Sequence, residues 1–235
     1  MKDEDIDRAA AEATPIPYEL DEALRGRLRA SIPAPLPPVR PVPATWVLRS
    51  ALILVCAVVG VAGAARAGFY GIERLGLWGA LPILAALGLL AWLASDKLIA
   101  ELIPGRTHRL GAGALLASVS AVLLAVFGFS FTDYHTERFL SAGLTCLLTG
   151  LLHAIPAAVL LCLLLRRGFA ANPISAGLVA GALSGLAGVT MLELHCANFE
   201  ALHVLVWHTA VVPLSALAGA AVGWALRRRS PGPAH

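Results

Sequence analysis

The chain has 235 residues, of which 58% are hydrophobic and 14% charged, with a net charge of +3. A soluble domain carries about 25% charged residues, and a nucleic-acid binder gathers its basic residues into a patch with aromatics; neither pattern is present. Apolar runs recur from Trp46 onward, each near the roughly 20 residues that cross a bilayer core, and the alternation of a membrane β-barrel is absent, so the chain reads as an all-α polytopic membrane protein.

Residues 1–45 are hydrophilic and lack the leading apolar stretch of a signal peptide. They read as a small head. Within it, "ELDEALRGRLRA" (19–30) places Leu20, Leu24 and Leu28 at i, i+4 and i+8, an apolar stripe on a helix ringed by charge. Such a short helix is marginal alone in water and needs a partner or a membrane surface. Residues 33–43, "PAPLPPVRPVP", hold six prolines in eleven positions, which favours an extended polyproline arm.

Six transmembrane helices follow, over about 46–65, 75–95, 110–131, 139–165, 174–194 and 201–226. Pro82, Pro156 and Pro213 fall inside them, as membrane helices tolerate. The basic residues set the orientation. Lys2, Arg8, Arg25, Arg27, Arg29, Arg40, Arg49, Lys97, Arg106, Arg109, Arg166, Arg167 and Arg227 to Arg229 lie on one side, and only Arg66, Arg74 and Arg138 on the other. Both termini are therefore expected in the cytoplasm. The expected organisation is a cytoplasmic head (1–45), a six-helix membrane domain (46–226) and a cytoplasmic tail (227–235), with lipid as a constant partner and no direct contact with nucleic acid.

The densest polar cluster is "LELHCANFEALHVLVWH" (192–208), between the fifth and sixth spans on the outward side. Cys146, in the outer third of the fourth span, and Cys196, in this loop, are expected at similar depth in an oxidising compartment if the host is a bacterium. They can form a disulfide if their Cα atoms come within about 7 Å. Cys56 and Cys162 read as small buried hydrophobes. Around Cys196 stand Glu193, His195, Glu200, His203 and His208. Cys146, Cys196, His195 and His203 form the candidate metal set, suited to copper or zinc, although no spacing matches a zinc motif and no cofactor is otherwise implied. On a regular helix, His203 and His208 are about 140° apart and do not share a face. Taken singly, His135, His153, His203 and His208 read as histidines that hydrogen-bond to headgroups, water or neighbouring helices. Asn198 is placed to cap the sixth helix, with Glu200 in its first turn.

Gly177, Gly181 and Gly185, and then Gly219 and Gly223, recur every four residues and predict close packing of the last two spans. Mid-membrane charge is nearly absent, which argues against an ion-coupled transporter. No phosphate loop, nucleophile elbow or zincin helix occurs, so an enzyme is not expected.

Several stretches taken together resemble a known family. They are "PVRPVPATW" before the first span, "SAGLTCLLTGLLHAIPAAVLLCLLLRRG" across the fourth, "NPISAGLVAGALSGLAG" in the fifth and "LELHCANFEALHVLVWH" leading into the sixth. In this order they resemble the NrsF-type membrane anti-sigma factors, the negative regulators of sigma F, over about residues 38–226. The resemblance implies a bacterial inner-membrane protein whose short cytoplasmic N-terminus holds an extracytoplasmic-function sigma factor. It also implies that the two outward cysteines, Cys146 and Cys196 here, sense metal or oxidative stress. Leu20, Leu24 and Leu28 would then make the sigma contact. Two other readings are a membrane metal-handling or redox protein without a sigma partner, using Cys146, Cys196, His195, His203 and His208, and a structural membrane subunit.

Overall fold

The computed structural model describes residues 22–31, 43–103, 105–106, 108–135, 139–165, 170 and 172–229. Among the described residues, the regular elements are all helices. The chain divides into two units, Met1–Pro41 and Val42–His235.

In the first unit, one helix runs over Glu22–Ser31. Glu22 in its first turn and Arg29 in its last suit the helix dipole. Leu24 stands exposed on it. Leu20 and the Leu28 side chain lie outside the described residues, as does the predicted proline arm up to residue 42.

The second unit holds α1 (Thr45–Ala67), α2 (Tyr70–Leu102), α3 (Ala112–Ser130), α4 (Phe139–Leu165), α5 (Pro173–His195) and α6, which joins Ala201–His203, a π turn Val204–His208 and Thr209–Arg229. All six are long and apolar enough to cross a membrane. Their helicity needs no amphipathic pattern, because a lipid-exposed backbone must satisfy its own hydrogen bonds.

The hub is α5. Inside the bundle lies 67% of its apolar window, against 22–33% for the others. Its small residues explain this. A Cβ on Gly177 would land on the carbonyl of Gly219, and one on Gly181 would fall 2.8 Å from the Cα of Ala216. A Cβ on Gly185 would fall 2.8 Å from the Cα of Val212. The backbones of α5 and α6 therefore touch along a glycine seam, the close approach that small residues permit. The predicted stripes serve packing within the chain. α5 starts sharply: the Asn172 side chain accepts from the backbone N–H groups of Ile174 and Ser175 at 3.2 and 3.3 Å, with Pro173 in the first turn.

α2 departs from the predicted span at both ends. It begins at Tyr70, and Gly76, with a φ of 71° that suits glycine, breaks it within its first two turns. At the other end it runs on to Leu102, past Asp96, Lys97 and Glu101. These charges end the span as read from sequence, yet each has a partner. Asp96 accepts from Arg49 of α1 and from Arg106 at 3.0 Å, with His108 at 3.7 Å. Lys97 and Glu101 pair at 2.6 Å, and Ser175 of α5 donates to Glu101 at 2.8 Å. Removing one member of a poorly hydrated pair strands the other. Glu101→Gln is therefore expected to lower unfolding stability in detergent by about 3 kcal/mol, and adding Lys97→Met to recover most of it. Denaturant titration followed by circular dichroism measures both.

Cys56 is buried as expected, its thiol 3.5 Å from the Leu183 carbonyl. Cys162 is not: it is exposed on α4. The bundle-facing side of this end of α4 is carried by Ala157 and Leu161, and position 162 is turned away from Leu161 by about 100°.

Candidate functional site

At one end of the bundle, the connection between α5 and α6 is pinned by its neighbours. Cys196 ends α5, its N–H donating to the Leu192 carbonyl at 2.7 Å. Arg74 donates to the Ala197 carbonyl at 2.9 Å and lies over the Phe199 ring. A Cβ on Gly71 would fall 2.5 Å from the Glu193 carbonyl oxygen and 2.8 Å from that of Cys196, so the start of α2 presses directly on this turn. From the α3 side, Phe131 stacks on Phe199 at 5.5 Å, and the Ala201 N–H donates to the Asp133 carbonyl. Asn198 does not cap α6. Its side chain accepts from the Glu200 N–H at 3.0 Å in a local turn, and Glu200 itself occupies the cap position.

This pinned loop holds Cys196 against α4. The sulfurs of Cys146 and Cys196 are 3.5 Å apart, and both cysteines are free. Contact with the Cys146 sulfur, and then burial, push the Cys196 thiol above the usual thiol range. On the other side, His203 Nε2 is 3.7 Å from Cys196 Sγ. His208 completes a cluster in which one ligand atom from each of Cys146, Cys196, His203 and His208 lies within 4.8 Å of the others. His203 and His208 are enclosed, their rings 5.3 Å apart.

The expectation that His203 and His208 diverge fails because of the π turn. Its i→i+5 bonding widens the turn by one residue, so positions five apart come round to the same side. Trp207, within the turn, packs on Phe139 at 5.3 Å and fills the space over Gly143 of α4. His203 and His208 are therefore core residues with unpartnered ring nitrogens, His203 Nδ1 and His208 Nε2, and not interfacial ones.

His195 is not brought to the cluster. It sits on the last turn of α5, but its Nδ1 donates to the Gly68 carbonyl at 3.0 Å and its ring packs beside Tyr70. His153, deeper on α4, donates to the Thr149 carbonyl at 2.9 Å. His135 pairs with Asp133 at the surface.

Glu193, which stands near Cys196 in sequence but outside the candidate metal set, joins the site. It is buried, and its Oε1 accepts from His208 Nδ1 at 2.6 Å. A carboxylate only accepts, so Nδ1 carries the proton and, in the neutral ring, Nε2 keeps a free lone pair. Two thiols and two imidazoles are a soft-to-borderline set that suits zinc or copper, and the orphaned His208 Nε2 is what such a group would satisfy.

A family model described as "NrsF: Negative regulator of sigma F" matches residues 33–228. The chain belongs to the NrsF family. No curated protein and no solved structure matches it. The NrsF match takes in all six helices of the bundle up to Arg228 and the whole Cys–His cluster, and stops short of Leu20, Leu24 and Leu28. Membership makes the chain a membrane-spanning negative regulator whose target is a sigma factor.

Proposed function

We propose that this chain is a membrane anti-sigma factor that sequesters an extracytoplasmic-function sigma factor and releases it on metal or redox stress felt at Cys146 and Cys196. The observation that carries the reading is the pair of free sulfurs 3.5 Å apart, one on α4 and one on the α5–α6 connection. The bias of basic residues supports a bacterial inner-membrane protein with head and tail in the cytoplasm, and so leaves the thiols on the oxidising side. The head is the contact: Leu20, Leu24 and Leu28 would dock on the sigma factor. These three leucines precede the family match, which begins at residue 33, and that suits a contact that must differ from one sigma factor to the next.

Two chemistries can act on the pair. In oxidation, the thiols give up their protons, sulfur bonds to sulfur, and the electron pair passes to a peroxide that leaves as water. In metal binding, both thiols lose their protons to become ligands. Either draws α4 against the α5–α6 turn. At the far end of α5, Ser175 holds Glu101 of α2, and the neighbouring Asp96 holds Arg49 in the second turn of α1. A shift of α5 thus has a polar path to the entry of the first span. A near-complete switch needs about 5.5 kcal/mol of differential stabilisation, and a disulfide supplies about 2–4 kcal/mol. The resting equilibrium must therefore be poised, or metal binding must add to it.

The full-length protein in detergent is expected to retain an extracytoplasmic-function sigma factor from the same cell, and the Leu24→Asp variant to lose it. If the unmutated protein retains none, or if Leu24→Asp retains it unchanged, the head is not the contact. The four clustered ligands would equally serve a metal-handling membrane protein; the NrsF match is the reason to prefer the regulator.

A further inference from the structure

We propose that Cys146, Cys196, His203 and His208 close around one divalent cation of borderline softness, with zinc as the type, and that Glu193 is the positioning residue that fixes which nitrogen His208 presents. This rests on the sensing reading for its biological role and goes beyond it, because a cysteine pair alone specifies neither the histidines nor the carboxylate.

The geometry is that of a closed four-ligand site. Bonds of about 2.3 Å to sulfur and about 2.0 Å to nitrogen put tetrahedral ligand atoms under about 4 Å apart. The four atoms here already lie within 4.8 Å of one another, with Cys196, His203 and His208 buried and Cys146 half-buried. The ligands come from three separately anchored places: α4, the pinned loop and the start of α6 with its π turn. The π turn is what brings both histidines to one side, and Trp207 against Gly143 holds it in register with α4.

Glu193 gives the site its outer support. Metal-bound histidines nearly always donate their second ring N–H to a carboxylate, carbonyl or water. His208 does so in advance: its Nδ1 sits 2.6 Å from Glu193 Oε1 while its Nε2, enclosed and unpartnered, is left for the ion. Charge decides between ion types. Two thiolates beside the Glu193 carboxylate leave less uncompensated charge around a divalent ion than around a monovalent one, and uncompensated charge in an enclosed site is costly. Four protein ligands with no open position mark a binding site and not a catalytic one.

The test uses full-length protein in detergent, reduced with a phosphine and titrated with cobalt(II), which reports tetrahedral sulfur ligation in its visible spectrum. One equivalent of cobalt is expected, with thiolate charge-transfer bands, displaced by zinc. Glu193→Gln is expected to weaken cobalt binding about 10–100-fold while the tetrahedral spectrum is kept, and Glu193→Asp to recover part of the loss. His208→Gln is expected to change the spectrum itself. The site is overturned if the wild type shows no tetrahedral cobalt band. It is also overturned if Cys146→Ser abolishes the band while His203→Gln and His208→Gln leave it unaltered, or if Glu193→Gln leaves the affinity unchanged. The sensing reading fails separately: a wild type that binds cobalt as described but keeps its sigma factor when zinc is added supports this site and sinks release by metal.

Discussion

Diamide treatment of the reduced, purified protein is expected to join Cys146 to Cys196 and to spare Cys56 and Cys162. Counting thiols with a maleimide–polyethylene glycol reagent after denaturation should give four before treatment and two after. Cys146→Ser should give three at both stages. The selectivity has a simple origin. The two sulfurs are already 3.5 Å apart and need only approach to bonding distance, whereas Cys56 is buried against Leu183 and Cys162 faces away from the bundle. The thiolate is the reactive species, and the Cys196 thiol is held above its usual range by its contact with Cys146 and by burial. Oxidation should speed up as pH rises and a thiolate forms at either sulfur. The closed loop spans 50 residues, and the bond should stabilise the bundle by about 2–4 kcal/mol, visible as a higher melting temperature in the oxidised sample. Four thiols remaining after treatment would mean that the pair is not poised to react.

Gly181→Leu is expected to cost more than the loss of the Glu101 carboxylate or the gain from the disulfide. The Cβ of residue 181 would meet the backbone of Ser215 and Ala216, not the end of a flexible side chain. Relief therefore requires the two most intimately packed helices to separate. Inserting methylenes into a packed core costs about 1–3 kcal/mol when neighbours can give; where only backbone is available to move, the expected loss is above about 4 kcal/mol, enough to remove the folded protein from the membrane fraction. Gly181→Ala should already lower the melting temperature. Gly88→Ala is the control: nothing lies within 4 Å of its Cβ, and replacing a helical glycine by alanine there should be neutral or stabilise by about 0.5–1 kcal/mol. Thermal unfolding in one detergent compares all three.

These contrasts mark where the fold is legible in the sequence. Apolar run length sets the spans directly, because lipid imposes one solution on a backbone, and the bounds of α4 follow from it to the residue. The glycine spacing foretells the α5–α6 seam for the same kind of reason: only small residues allow that approach. The Leu102 end of α2 reads short because Asp96, Lys97 and Glu101 look like a span boundary until Arg49, Arg106 and Ser175 are seen beside them. The meeting of Cys146 with Cys196 is inferable as shared depth, but not as a distance. His208 and Glu193 escape notice as a pair for a local reason. A π turn leaves no periodic signature, so the spacing of His203 and His208 converts to the wrong angle when a regular helix is assumed. His195 qualifies on nearness in sequence alone, and its ring turns to Gly68 instead.

The π turn has one more effect. α6 answers to two masters: its later part must keep Gly219 and Gly223 against α5, while its first part must keep His203 beside Cys196. In an unbroken helix one rotational phase would have to serve both, since each residue advances the helix by about 100°. The surplus residue in the wide turn uncouples the two phases. The membrane seam and the ligand cluster can then each be tuned by selection without disturbing the other.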